Sequence, residues 1–227
     1  LKLLLFDIDG TLMRTGGAGR ISMERAFKSV YGVRNGFEGI HMMGRTDPVI
    51  VREALCNHGL TWQDDQVESF RRLYYEILTE QIKQPLADKG LCPGIPELLE
   101  AIQATPALFL GLLTGNWRRS AMMKLDYFGI RPYFPAGAFA DDSEKREDLV
   151  AVVVERMLPF TGKMPDPSQV IVIGDTPMDV ACAKPYGAKS VAVATGFHSP
   201  EVLKAARPDR IFSNLADTKR VLAYFKD

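Results

Sequence analysis

Apolar residues recur along this chain in two different rhythms, and the change between them divides it. Leu3–Phe6 is an unbroken apolar run, the right length for a buried strand and too short for a helix. From about Ile21 to Gln84 the spacing is helical. Ser22–Tyr31, Pro48–His58 and Asp64–Gln84 each place apolar residues three and four apart, with no strand between them. From about Leu91 strand and helix alternate. Strands are expected at Leu108–Leu113, Tyr133–Phe139, Val170–Ile173, Ser190–Ala194 and Arg210–Phe212. Between and after them, helices are expected at Ile95–Ala104, Arg118–Phe128, Asp148–Leu158, Met178–Tyr186, Pro200–Ala206 and Ala216–Phe225. Strands separated by helices imply a parallel sheet with helices on both faces and right-handed crossovers. The helical stretch interrupts this pattern after the first strand, so it reads as an insertion. Its two linkers would be the loop at Gly16–Gly19 and the segment near Pro85–Pro93.

Polar residues punctuate three of the expected strands. Leu3–Phe6 runs into Asp7 and Asp9, Leu108–Leu113 into Thr114-Gly115-Asn116, and Val170–Ile173 into Gly174-Asp175-Thr176, with Asp179 close behind. Strand C-termini in a parallel sheet share one edge, and ligands bind in the crevice outside it. These groups should therefore converge. Helix capping alone accounts for Asp, Asn and Thr at such positions, but not for Asp7 and Asp9 together. Two carboxylates about 4 Å apart repel by roughly 4 kcal/mol at an effective dielectric near 20. Such a cluster either keeps a proton or takes a cation. Oxygen-only ligands select a hard ion, and Mg2+ suits a phosphate site.

Phosphate chemistry fits these parts. A carboxylate can attack phosphorus to form an aspartyl phosphate, with Mg2+ offsetting the repulsion between the two anions. Thr114 and the amides of Gly115 and Asn116, at a helix start, are placed to hold phosphoryl oxygens. Asp9 is placed to protonate the leaving oxygen and then to activate water. The cation that holds nucleophile and phosphate together falls to Lys145 or Arg146, just ahead of the helix at Asp148. Leu149, three positions after Arg146, opens that helix's apolar face and tips the choice slightly toward Arg146, with Lys145 kept open beside it.

The remaining composition narrows the field. In 227 residues, 28 Lys+Arg balance 28 Asp+Glu, so the basic field expected of a nucleic-acid binder is missing. No apolar run approaches a membrane span. Cys56, Cys92 and Cys182 are odd in number and scattered, which argues against a disulfide framework and a zinc site and for reduced thiols in a cytoplasmic protein.

Asp7-Ile8-Asp9-Gly10-Thr11-Leu12 resembles motif I of the haloacid dehalogenase superfamily. Leu113-Thr114-Gly115-Asn116 resembles its motif II, and Gly174-Asp175-Thr176-Pro177-Met178-Asp179 its motif IV. The resemblance spans almost the whole chain. It implies a Rossmann-like α/β core with an inserted small helical cap, formed by residues 1–15 with 87–227 and by 16–86 respectively. It also implies Asp7 as nucleophile, Asp9 as general acid/base and Thr114 as a phosphoryl ligand. Mg2+ would be held by Asp7, Asp175 and the main-chain carbonyl of Asp9, with Asp179 supporting the metal site or the motif III cation. At motif III the chain departs from the usual Lys followed by Pro-x-Pro, reading Ser143-Glu144-Lys145-Arg146-Glu147-Asp148-Leu149.

Gly44-Arg45-Thr46-Asp47 resembles the segment that phosphoglycolate phosphatases present to substrate. Arg45 would then meet a substrate carboxylate or second phosphate, with Thr46 beside it; helix capping ahead of Pro48 is the competing reading. Dehalogenation is disfavoured because Asp9 is present, and an imine-forming cap lysine has only Lys28 and Lys83 as candidates. The expectation is a Mg2+-dependent phosphatase of small phosphorylated metabolites, as monomer or homodimer, without a nucleic-acid or membrane partner. Competing readings are a phosphosugar mutase, a non-catalytic phosphate-binding member of the fold, and a receiver-type signalling module. The last would carry its phosphorylated Asp on a mid-chain strand, where this chain has Thr114.

Overall fold

The computed structural model describes residues 1–227. Six strands form one parallel sheet: β1 (Lys2–Phe6), β4 (Leu108–Leu113), β5 (Gly137–Ala138), β6 (Val170–Gly174), β7 (Lys189–Val193) and β8 (Arg210–Phe212). Their spatial order is β5-β4-β1-β6-β7-β8. Every pair in this order is parallel. Helices α4 (Ile95–Gln103), α5 (Arg118–Tyr127), α6 (Asp148–Thr161), α7 (Pro177–Ala183), α8 (Pro200–Ala205) and α9 (Thr218–Lys226) follow or connect these strands.

Alternation along the strands explains how both faces are covered. In β1, Leu4 and Phe6 join Leu110, Leu112, Ile171 and Ile173 in a cluster closed by residues of α4, α5 and α9. Leu3 and Leu5 face the other way, with Val170 and Val172, against Leu149, Val153 and Met157 of α6. Side chains two apart share a face, and a sheet buried on both sides needs near-continuous apolar strands. The run read from Leu3–Phe6 meets that demand.

The helical stretch is α1 (Ala18–Tyr31), α2 (Asp47–Asn57) and α3 (Asp64–Gln81). These helices build a separate apolar cluster around Phe27, Phe37, Val51, Leu55, Phe70 and Leu78. The core contributes Trp117 to it, with the Phe70 and Trp117 ring centroids 6.2 Å apart. This aromatic contact seats the helical unit on the start of α5.

Three expectations require correction. The Pro85–Pro93 segment is not a plain loop: its β3 (Lys89–Leu91) pairs antiparallel with β2 (Met13–Thr15), just ahead of the Gly16–Gly19 loop, with Arg14 opposite Gly90. The strand expected over Tyr133–Phe139 shrinks to Gly137–Ala138, behind a 3-10 turn at Arg131–Tyr133. Pro132 and Pro135 lack the N–H that a ladder requires. The third inserted helix ends at Gln81, not Gln84. No helix is long and apolar enough to cross a membrane.

Candidate active site

The sheet brings the three punctuated strand ends together. Asp7 extends the ladder by one bond, its N–H donating to Ile173 O at 2.9 Å. The chain then curls: Ile8 O accepts from the N–H groups of Thr11, Leu12 and Met13 at 3.3, 2.9 and 3.1 Å. At the neighbouring strand end, Asp175 accepts from Thr11 Oγ1 at 3.0 Å. Glycines make this approach possible. A Cβ at Gly10 would lie 2.4 Å from Asp175 Oδ2, and one at Gly196 only 1.7 Å from it. Gly174 likewise leaves room for the Asp179 carboxyl.

Asp7, Asp175 and Asp179 are all buried, and each offers a carboxylate oxygen within 4.8 Å of the others. Burial is the main force raising Asp7, whose pKa rises to about 7. Arg146 opposes that rise, while Asp179 and Asp9 add to it. Asp175 is held well above the ordinary carboxylate range, first by burial and then by the charges of Asp7 and Asp179. Asp179 is anchored locally as one half of a capping box: its Oδ2 accepts from Thr176 N at 3.0 Å and Thr176 Oγ1 at 2.7 Å.

One buried cation faces the triad. Arg146 Nη2 donates to Asp7 Oδ1 at 2.8 Å and also to Asp179 Oδ1. Burial disfavours its charge, but Asp179 and Asp7 more than restore it. Lys145 is exposed and forms no ion pair with these acids. Of the two cations expected at this point, only Arg146 enters the site. Arg146 lies in the turn just ahead of α6, its carbonyl accepting from Leu149 N–H at 3.2 Å, and is buried as Leu149, Val150 and Val153 are.

Asp9 belongs to a second polar group. Its Oδ2 accepts from Asn116 Nδ2 at 2.8 Å and from Lys124 Nζ at 2.5 Å. Asn116 Oδ1 accepts from Lys124 Nζ at 2.7 Å. Thr114 Oγ1 accepts from Asn116 Nδ2 at 2.8 Å and Asn116 N at 3.3 Å, which leaves its own O–H free to donate. The Asn116 side-chain amide therefore brackets Asp9 and Thr114, while its main-chain N–H donates to Thr114 Oγ1. Lys124 was not anticipated from the sequence. In Arg118-Arg119-Ser120-Ala121-Met122-Met123-Lys124 it reads as one more polar helix position. Its distance of eight residues from Asn116, about two helical turns, was the available signal.

The helical unit closes over these groups. Gly44 O accepts from Arg146 Nη1 at 3.0 Å, Thr46 Oγ1 donates to Glu144 O at 2.8 Å, and Asp47 N–H donates to Gly115 O at 2.7 Å. Asp47 Oδ2 accepts from Trp117 N–H at 2.8 Å. Gly115 lies so close to Arg45 that a Cβ would meet the Arg45 carbonyl oxygen at 2.2 Å. Arg52 and Arg71 add ion pairs to Glu144 and Asp141 at 2.7 and 2.6 Å. The Arg45 side chain does not point at the acids. It pairs with Glu53 at 2.5 Å and donates to His41 O at 3.1 Å, because α2 places Glu53 within its reach. Thr46 is likewise engaged with the Glu144 carbonyl. Lys28 and Lys83 lie on the surface, Lys83 paired with Glu80 at 2.9 Å.

A divalent cation fits this chemistry. Three buried carboxylates face one guanidinium, two of them driven toward the protonated form, and every donor is an oxygen.

A family model described as haloacid dehalogenase-like hydrolase matches residues 4–193. The chain belongs to that family of hydrolases. It is 24% identical to a phosphoglycolate phosphatase of Vibrio vulnificus over 229 aligned positions, covering 95% of this chain and 93% of the relative. It is similar at the same identity to the pyrophosphatase PpaX of Bacillus pumilus, covering 96% and 94%. Against the phosphoglycolate phosphatase of Shigella boydii it is 29% identical, but the match spans 68% of this chain and 58% of that one. Among solved structures, a predicted phosphoglycolate phosphatase from Haemophilus somnus superposes with a TM-score of 0.75 at 21% identity, covering 98% of each chain. CbbY from Rhodobacter sphaeroides, solved with phosphate, gives 0.71 at 16% identity, covering 96% of each. These superpositions establish the α/β fold.

Proposed function

We propose that this chain is a Mg2+-dependent phosphatase of small phosphate monoesters, working through phosphorylated Asp7. The observation that carries this reading is the buried set of Asp7, Asp175 and Asp179 around Arg146, with Asp9 held two residues from Asp7 on a separate network.

Asp7 Oδ attacks phosphorus, the ester P–O bond breaks, and Asp9 gives its proton to the departing oxygen. Water then attacks the phosphorus of the aspartyl phosphate and passes a proton to Asp9. The bond to Asp7 breaks, inorganic phosphate leaves, and both carboxyls return to their starting state. Arg146 holds Asp7 in place and offsets charge on the phosphoryl group. Thr114 directs its free O–H at a phosphoryl oxygen. Mg2+, bound by Asp7 and Asp175 with the Asp9 main-chain carbonyl, would screen the repulsion between the two anions as they meet. Asp179 supports that set from behind, through Arg146 and Thr176.

Residues 1–15 and 87–227 act as the catalytic core and 16–86 as the cap, with the β2–β3 ribbon as the hinge between them. Closure of the segment Gly44–Asp47 over Gly115 and Arg146 limits substrates to small molecules. Phosphoglycolate heads the candidates through the relatives' activity. In the closed form recognition of its carboxylate by Arg45 requires that side chain to leave Glu53.

Steady-state hydrolysis of a panel of phosphorylated metabolites, with Mg2+ and with EDTA, tests the reading. Metal-dependent release of inorganic phosphate supports it. A phosphosugar product instead of free phosphate identifies a mutase, and turnover that survives EDTA rejects the reading.

A further inference from the structure

We propose that Lys124 is a positioning residue of the reaction. It holds Asp9 so that one carboxyl oxygen is tied to the protein and the other faces the reacting ester. This inference rests on the phosphatase reading above.

The Asp9 side chain is 41% exposed, whereas that of Lys124, its ion-pair partner, is 4% exposed. An exposed aspartate ordinarily swings between rotamers. Here Oδ2 receives two N–H groups, from Lys124 Nζ at 2.5 Å and Asn116 Nδ2 at 2.8 Å, while Oδ1 has no protein partner. Oδ1 is therefore the carboxyl oxygen left open toward the reacting ester. Rotation of the carboxyl would break both bonds at once. Lys124 also donates to Asn116 Oδ1 at 2.7 Å, which fixes the amide so that its NH2 points at Asp9 and Thr114. One ammonium thus orders two of the groups that surround the phosphoryl position.

Lys124 lies near enough to the buried Asp47 to favour its ionised form. Lys124 makes no hydrogen bond to Asp47, which accepts instead from Trp117 N–H. The cap reinforces this placement. A Cβ at Gly19, in the first turn of α1, would sit 3.7 Å from Lys124 Nζ, so the closed cap covers the ammonium without supplying a competing side chain.

The test is the dependence on leaving group. Wild type, Asp7→Asn and Lys124→Met are assayed with Mg2+ on β-glycerophosphate, whose alkoxide must be protonated, and on p-nitrophenyl phosphate, whose phenolate leaves without help. kcat/KM reports only the steps through leaving-group departure. Misplaced acid catalysis should lower kcat/KM for β-glycerophosphate about 100- to 1,000-fold in Lys124→Met, and for p-nitrophenyl phosphate by less than about tenfold. Equal losses on both esters, or no loss, would overturn the inference while leaving the phosphatase reading intact. Wild type inert on both, or Asp7→Asn still active, overturns the reading and this inference with it. Thermal melts verify folding. If Lys124→Met fails to fold, Lys124→Gln is assayed on the same two esters and judged by the same ratio.

Discussion

Metal binding should stabilise this protein more at high pH than at low pH, and the reason lies in the buried acids. The Asp7 carboxyl titrates at about 7 in the folded chain against 3.8 for the free side chain, first because it is buried. Relative to the unfolded chain, the folded protein thereby disfavours its ionised form. The folded state keeps this proton longer than the unfolded state does. In metal-free protein, stability therefore falls as pH rises from about 4 through about 7, then levels off. Asp175 shifts in the same direction and steepens the fall.

A divalent cation held by these oxygens reverses the preference and displaces their protons. Thermal unfolding at pH 5 and pH 8, each with EDTA and with saturating Mg2+, reads the linkage. The Mg2+-induced rise in Tm should be larger at pH 8 by several degrees, since about 1 kcal/mol moves a domain of this size by about 2–4 °C. Calorimetric titration near pH 6 in two buffers of different ionisation enthalpy should show proton release on binding. Asp47 also titrates at about 7, chiefly through burial, but lies outside the triad, so its share of the slope should persist with metal and vanish in Asp47→Asn. A Mg2+ effect of equal size at both pH values, with no proton release, would mean that the buried carboxylates do not exchange their protons for the metal.

Other perturbations probe separate parts. In Gly196→Ala the new methyl would fall 1.7 Å from Asp175 Oδ2 and displace that carboxyl. We expect loss of at least about 100-fold in kcat/KM with the fold retained, read by steady-state assay beside a thermal melt. Arg146→Met leaves Asp7 and Asp179 without their shared cation; it should cost about 3–5 kcal/mol in urea unfolding, whereas Lys145→Met, on the surface, should stay within about 0.5 kcal/mol. Phe70→Ala, at the centre of the helical unit's aromatic cluster, should cost about 3–5 kcal/mol in the same assay, where the chain unfolds in one transition.

The sheet was legible because its strands are buried on both faces and so read as unbroken apolar runs. Leu108–Leu113 and Arg210–Phe212 coincide with the structure residue for residue. Motif residues at strand ends were equally visible, since one topological rule gathers Asp7, Thr114 and Asp175. What escaped was set by partners distant in sequence. β2 and β3 are three residues each, too short for a period, and exist only because each completes the other. Arg45 was read either as a substrate contact or as part of a helix start, and neither reading anticipated its pairing with Glu53. Lys124 looks like solvent-facing helix until the fold brings Asp9, 115 positions away, onto its ammonium. Lys145 and Arg146 stayed together as alternatives in the sequence; in the fold Arg146 is buried against Asp7 and Asp179 and Lys145 is exposed.

In the proposed reaction Asp7 carries the phosphoryl group in transit. Rapid acid quench of a single turnover, followed by proteolysis and mass spectrometry, examines this directly. A phosphorylated peptide ending at or containing Asp7, formed and lost at rates matching turnover and absent in Asp7→Asn, is the predicted result. Turnover at the same rate without any phosphorylated Asp7 peptide would contradict the account.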